Sequence, residues 1–196
     1  MARPSTAVRR LLAAATALLL LGALAPPSAM AAARKPLRRA VVVNPAATIA
    51  GAVGAALGLP AGALDVRYHQ QLDPRWGLTV GLDAATVPVL LIYDVAVLKA
   101  GPRISLSRPG LAGWHALPLV LLGWGQAHNS HGKRLAASVI AGVGVEAGYT
   151  WAFGGLVLEC GAGLQAWRML DGEQRAFSDL LPPLKPVLNA SIGYGW

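Results

Sequence analysis

Two stretches of this chain alternate so strictly that few folds can hold them. Over residues 138–151, Val139, Ala141, Val143, Val145, Ala147, Tyr149 and Trp151 share one face of an extended chain. Ser138, Ile140, Gly142, Gly144, Glu146, Gly148 and Thr150 share the other. Over residues 155–167, Leu156, Leu158, Cys160, Ala162, Leu164 and Ala166 oppose Val157, Glu159, Gly161, Gly163, Gln165 and Trp167. Period two sustained at this length is a strand signal. Each stretch has one apolar face and one face of glycines and polar groups. Glycine-rich polar faces on long strands fit the crowded interior of a narrow closed barrel, with the apolar face turned to lipid.

Composition points the same way. The chain is 55% hydrophobic and 13% charged, against roughly 25% charged in an ordinary soluble domain. The best candidate for a membrane-crossing helix, residues 41–64, holds Asn44, Pro45, Pro60 and several glycines and reads as poor helix material. Arg9-Arg10, an apolar run over residues 11–25 and the A-x-A of Ala29-Met30-Ala31 make a secretory signal peptide over residues 1–31. Residues 32–38 read as a solvated basic leader, and residues 39–196 as the barrel domain. The net charge of +8 includes Arg3, Arg9 and Arg10 in the signal peptide. The mild surplus left does not make a nucleic-acid binder. Cys160 is the single cysteine, which excludes an intramolecular disulfide framework.

Period two predicts strands at residues 39–53, 63–72, 76–83, 92–107, 115–127, 138–151, 155–167 and 184–196. The facing of 115–127 stays open, because both of its faces are apolar. Eight is the smallest strand count of an outer-membrane barrel. The expected fold is an all-β, eight-stranded antiparallel transmembrane meander barrel after a cleaved signal peptide, in the outer membrane of a Gram-negative-type envelope. The predicted periplasmic turns are short ("DPR" near Asp73, 108–114 and 151–155), and the longest loop, 170–185, falls outside. The final "NASIGYGW" alternates up to Trp196. Its strand is expected to close against the first. Trp76, Trp114, Trp151, Tyr194 and Trp196 are expected to form an aromatic girdle at the periplasmic interface.

In family terms the chain resembles the small eight-stranded outer-membrane barrels, the OmpX-like and OmpA-barrel-like group. The stretches that carry the resemblance are "VVVNPAATIAGAVGAALGLPAGALDVRYHQQL", "GPRISL" and "GLAGWHALPLVLLGWG". They look like a branch of exported barrels that open on an Asn-Pro strand. The second strand departs from that branch, carrying Arg67-Tyr68-His69 where a Glu-Tyr-Glu type run is usual. The resemblance implies outer-membrane lipid as surroundings and the barrel-insertion machinery as a partner, reading the C-terminal strand that ends at Trp196. It implies no cofactor, and it names no ligand for the outer loops.

Six charged residues fall on inward phases: Asp65, Arg67, Lys99, Arg103, Glu146 and Glu159. Facing lipid near mid-bilayer, a Lys or Arg costs roughly 2–4 kcal/mol. A polar network that fills the lumen and fixes register is the expected arrangement, with a small channel or carboxylate acid–base chemistry as alternatives. In "AHNSHGK" (127–133), His128 and Ser130 have H-x-S spacing, and Glu146 follows as a possible acid. This is similar to the outer-membrane lipid A deacylases, but the Asn-rich continuation of that family is missing. The preferred reading is a structural or surface-interacting barrel with no reaction, and a lipid-acting enzyme is the alternative. His128 and His131 alone do not make a metal site.

Overall fold

The structure is a computed structural model that describes residues 37–56, 62–88, 92–129, 131–170 and 184–196. Its strands are β1 (Arg39–Val43), β2 (Gly62–Gln71), β3 (Trp76–Pro88), β4 (Ile92–Ser105), β5 (Gly113–His128), β6 (Arg134–Phe153), β7 (Leu156–Met169) and β8 (Leu184–Gly195). They pair antiparallel in chain order, and β8 returns to β1 to close the barrel. The signal-peptide assignment (1–31) and Ser130 lie outside the described residues.

The closure is made at one end, here called basal. Val41 faces Tyr194 and Val43 faces Ile192 in the register. Trp196 is held by backbone bonds on both sides: Arg38 N and Arg39 N donate to its carbonyl, and its own N–H donates to Arg39 O. Gly193 lies opposite Val42 at the join of β1 and β8. A Cβ there would collide with the Val41 carbonyl oxygen.

Three expectations need correction. The first predicted strand, 39–53, ends at Val43, and residues Pro45–Ala56 form a helix, α1. The Asn-Pro pair that reads as a breaker is a helix start. Asn44 Oδ1 accepts from Ala46 N at 3.1 Å and Ala47 N at 3.4 Å, and Pro45 occupies the first helical position, where no N–H is needed. The second correction is to the leader. Leu37 packs against the basal core and Arg38 O accepts from Gln71 N, so the wall begins before residue 39. The third is that β3 runs on to Pro88, past residue 83 where the predicted strand ends.

The facing of β5 is settled. His115, Leu117, Leu119, Leu121 and Ala127 are buried in the lumen, and Trp114, Val120, Leu122 and Trp124 are exposed. The lumen is therefore two-sided. Leu117, Leu119, Leu121 and Val97 form an apolar strip with Val95 and Trp167, and the rest of the interior is largely polar. Outside, Leu78, Leu82, Leu98, Val120, Leu122, Val143, Val145, Leu164 and Leu188 are all exposed.

The turns follow local chemistry. Asp73 Oδ1 accepts from Arg75 N and Trp76 N, both at 2.8 Å, to fold the β2–β3 turn. Between β6 and β7, Gly154 and Gly155 take φ of 63° and 119°. A two-residue hairpin of this kind needs positive φ at both positions. The β4–β5 turn folds back into the basal mouth, where Leu111 is buried among Ala40, Val42 and Val157.

Candidate functional site: the lumen and the distal polar cluster

The alternation that forms the strands also aims their polar side chains inward, and closure forces them to find partners. Two clusters result. The first joins β2, β3, β4, β6 and β7. Arg67 Nη1 donates to Glu146 Oε2 at 2.6 Å, and Arg67 Nε donates to Asp65 Oδ1 at 3.2 Å. Lys99 Nζ lies 2.6 Å from Asp83 Oδ1 and 3.7 Å from Asp65 Oδ1. Gln165 Nε2 donates to the remaining oxygen of Glu146 at 3.3 Å. The arginine fork is shared between two carboxylates, which fixes its orientation.

The second cluster is basal and centres on Glu159. Its Oε2 accepts from Arg103 Nη1 at 3.0 Å and Thr150 Oγ1 at 3.1 Å, and its Oε1 accepts from Asn189 Nδ2 at 3.1 Å. His69 Nε2 stands 3.5 Å and His115 Nε2 3.8 Å from the same Oε2. Arg103 Nη2 also donates to Leu111 O and to Thr150 Oγ1, each at 2.8 Å. One guanidinium thus ties the turn that fills the mouth to the acid at the centre. Arg103 and Glu159 side chains are each 1% exposed, so neither is open to bulk solvent.

The structure places all six inward charges of the sequence reading in the lumen, but it splits them between the two clusters. It adds partners that were not singled out: His69, Asp83, His115, Thr150, Gln165 and Asn189. His69, Thr150 and Gln165 share the inward phase of β2, β6 and β7, Asp83 and Asn189 stand on the inward phases of β3 and β8, and His115 lies on β5, whose facing the sequence leaves open. What the clusters can do chemically is pair opposite charges and hold strands in register. Among the described residues, no three His, Cys, Asp or Glu side chains are gathered to hold a metal ion.

Of the enzyme candidates, His128 and Glu146 are not brought together. Glu146 faces Leu117 across the β5–β6 ladder, and His128 ends β5 opposite Arg134. Eleven residues of strand separate those levels, on the order of 35 Å. The carboxylate beside His128 is Asp94, with Nε2 3.1 Å from Oδ2. Asp94 also accepts from Thr86 Oγ1 at 2.7 Å and from Gln126 Nε2 at 3.1 Å. The alternation of β4 and β5 puts Asp94, Gln126 and His128 on the outer surface at the distal end, outside the lumen.

Six aromatic residues gather at the basal end on the outer surface. Trp114 meets Tyr149 edge-on with centroids 5.3 Å apart, and Tyr149 packs against Trp151 at 4.8 Å. Tyr194 stacks on Trp196 at 6.2 Å. Trp76 opens β3 at the same end and is exposed. Comparisons of the chain with protein-family models, with curated proteins and with solved structures find no match.

Proposed function

We propose that this chain is an outer-membrane β-barrel with a structural or surface-interacting role. The reading that this is an exported barrel of the OmpX-like and OmpA-barrel-like kind belongs to the same proposal. One observation carries it: the polarity is inverted. Arg67, Lys99, Arg103, Glu146 and Glu159 are buried, while Leu82, Leu98, Val120, Leu122, Val143, Val145, Leu164 and Leu188 are exposed. A water-soluble monomer rarely exposes contiguous apolar surface beyond a few hundred Å². Hydrocarbon is the solvent that suits such an exterior. The basal aromatic group supports an interface at that end, and the apolar turn at the mouth supports a sealed lumen over a conducting one.

The test is a detergent gel of membrane-extracted protein, boiled and unboiled, beside fractionation of the envelope. A faster unboiled band from the outer-membrane fraction is the expected result. Soluble periplasmic protein with no shift would sink the reading. Planar bilayers should stay silent, and steady conductance would favour the channel instead.

A second reading draws on the outward pairing of His128 with Asp94. With Ser130 as nucleophile, it would make a hydrolase acting on lipid acyl groups, with Asp94 in place of Glu146 as the orienting acid. An unchanged lipid A acylation profile in Ser130→Ala would remove it.

A further inference from the structure

The outer surface of the barrel is not evenly covered. One row across it reads Leu82, Leu98, Leu122, three large side chains in register on β3, β4 and β5. The next row toward the distal end reads Leu64, Ala84, Ala96, Trp124. The row beyond that reads Thr86, Asp94, Gln126. Two alanines thus lie between a leucine and a tryptophan, with a leucine row below and a carboxylate above. The result is a shallow, open depression of about 370 Å³ whose outward side chains are Leu64, Ala84, Ala96, Trp124, Thr86 and Asp94.

The two ends of the depression ask for different chemistry. Its floor and walls are apolar. Its distal rim is an acid whose side chain stays 34% exposed. Thr86, Gln126 and His128 approach that carboxylate, which has about four acceptor positions in all. An acceptor position is left for a donor arriving from the groove. A guest that satisfies both ends has a hydrocarbon chain and a headgroup bearing N–H or O–H donors. We propose that this groove is a lipid site: an acyl chain lies over Ala84 and Ala96 between Leu64 and Trp124, and a donor-bearing headgroup meets Asp94. The proposal rests on the membrane reading, which puts the groove at the boundary between hydrocarbon and headgroups.

Phosphatidylethanolamine and phosphatidylcholine separate the two halves of the claim. With equal chains they differ in whether the headgroup nitrogen carries hydrogens. The full chain, purified in an amine-oxide detergent, would be titrated with each lipid and its bound copies counted by native mass spectrometry. One saturable phosphatidylethanolamine adduct is expected, at least fivefold tighter than phosphatidylcholine. Asp94→Ala should reduce the preference to less than twofold while keeping an adduct. Ala96→Trp, which fills the groove from the outer surface, should remove the saturable adduct of both lipids. Ala84→Leu serves in its place if Ala96→Trp loses the heat-dependent gel shift. Equal affinity for the two lipids, or an adduct undisturbed by filling the groove, would overturn the site. A dimer peak abolished by Ala96→Trp would overturn it in favour of a second copy. These failures leave the membrane reading standing when the protein still partitions to the outer membrane with its gel shift. Soluble protein without a shift is the distinct failure of that reading.

Discussion

At the scale of single residues, the interior is governed by the rule that a buried charge must be paired. Breaking a buried pair costs about 3–5 kcal/mol, because the surviving partner has no water to return to. Glu159→Ala leaves Arg103 in that position and removes an acceptor from Thr150 and Asn189. The expected outcome is a loss of about 3–5 kcal/mol, read as a lower urea midpoint for the heat-shifted band. Glu159→Gln keeps one acceptor oxygen and should lose less. The double replacement Arg103→Met with Glu159→Leu should fall short of the sum of its singles, since each single leaves a charge that the double does not. The inward phase of these side chains is legible in the alternation alone. Their partners are not: Arg67 reaches Glu146 across 79 positions of sequence, and which residues meet across a lumen is set by strand tilt and stagger. Nearness in sequence also misleads at His128, whose acid is Asp94, 34 residues earlier in the chain, in place of the nearer Glu146.

At the scale of elements, the facing of β6 and β7 is legible because a strand with one small-residue face has a single way to alternate, although β6 runs over 134–153 where 138–151 is expected. Residues 115–127 were not, since Leu117, Leu119 and Leu121 turn an apolar face inward as well as outward. Burial of a leucine strip inside a polar lumen is a tertiary fact without a local signature. The helix α1 escaped for a different reason. Its sequence, PAATIAGAVGAA, is apolar on every side and carries no helical period, so its only signal was the cap. Asn44→Ala removes that cap, and a cost of about 1 kcal/mol is expected, seen as a small fall in the urea midpoint with the folded band retained. Gly193→Ala should act more severely. It places a methyl against the Val41 carbonyl at the join of β1 and β8, and the folded band should be lost or strongly diminished.

At the scale of the whole molecule, seven strands form a ladder of neighbours, and one short strand completes the ring. β1 pairs with β8 from Ala40 to Val43 and with β2 from Arg39 to Val43. Beyond Val43 the place of a strand is taken by α1, which lies against β2 and β8 and satisfies its own backbone. The basal half of the ring is therefore hydrogen-bonded all the way round, and in the distal half α1 stands between β2 and β8. Spin labels at Leu64 and Leu188, on the two sides of α1, should show a broader distance distribution than labels at Tyr68 and Tyr194, which flank Val41. Equal widths would mean that α1 holds its neighbours as firmly as a strand does. In a fully paired barrel the girth is fixed by strand number and stagger, so widening it means breaking ladder bonds. The paired base and the helix-bridged rim predict a stiffness graded along the axis: a rigid collar below, and a rim whose circumference changes at the cost of sliding a helix.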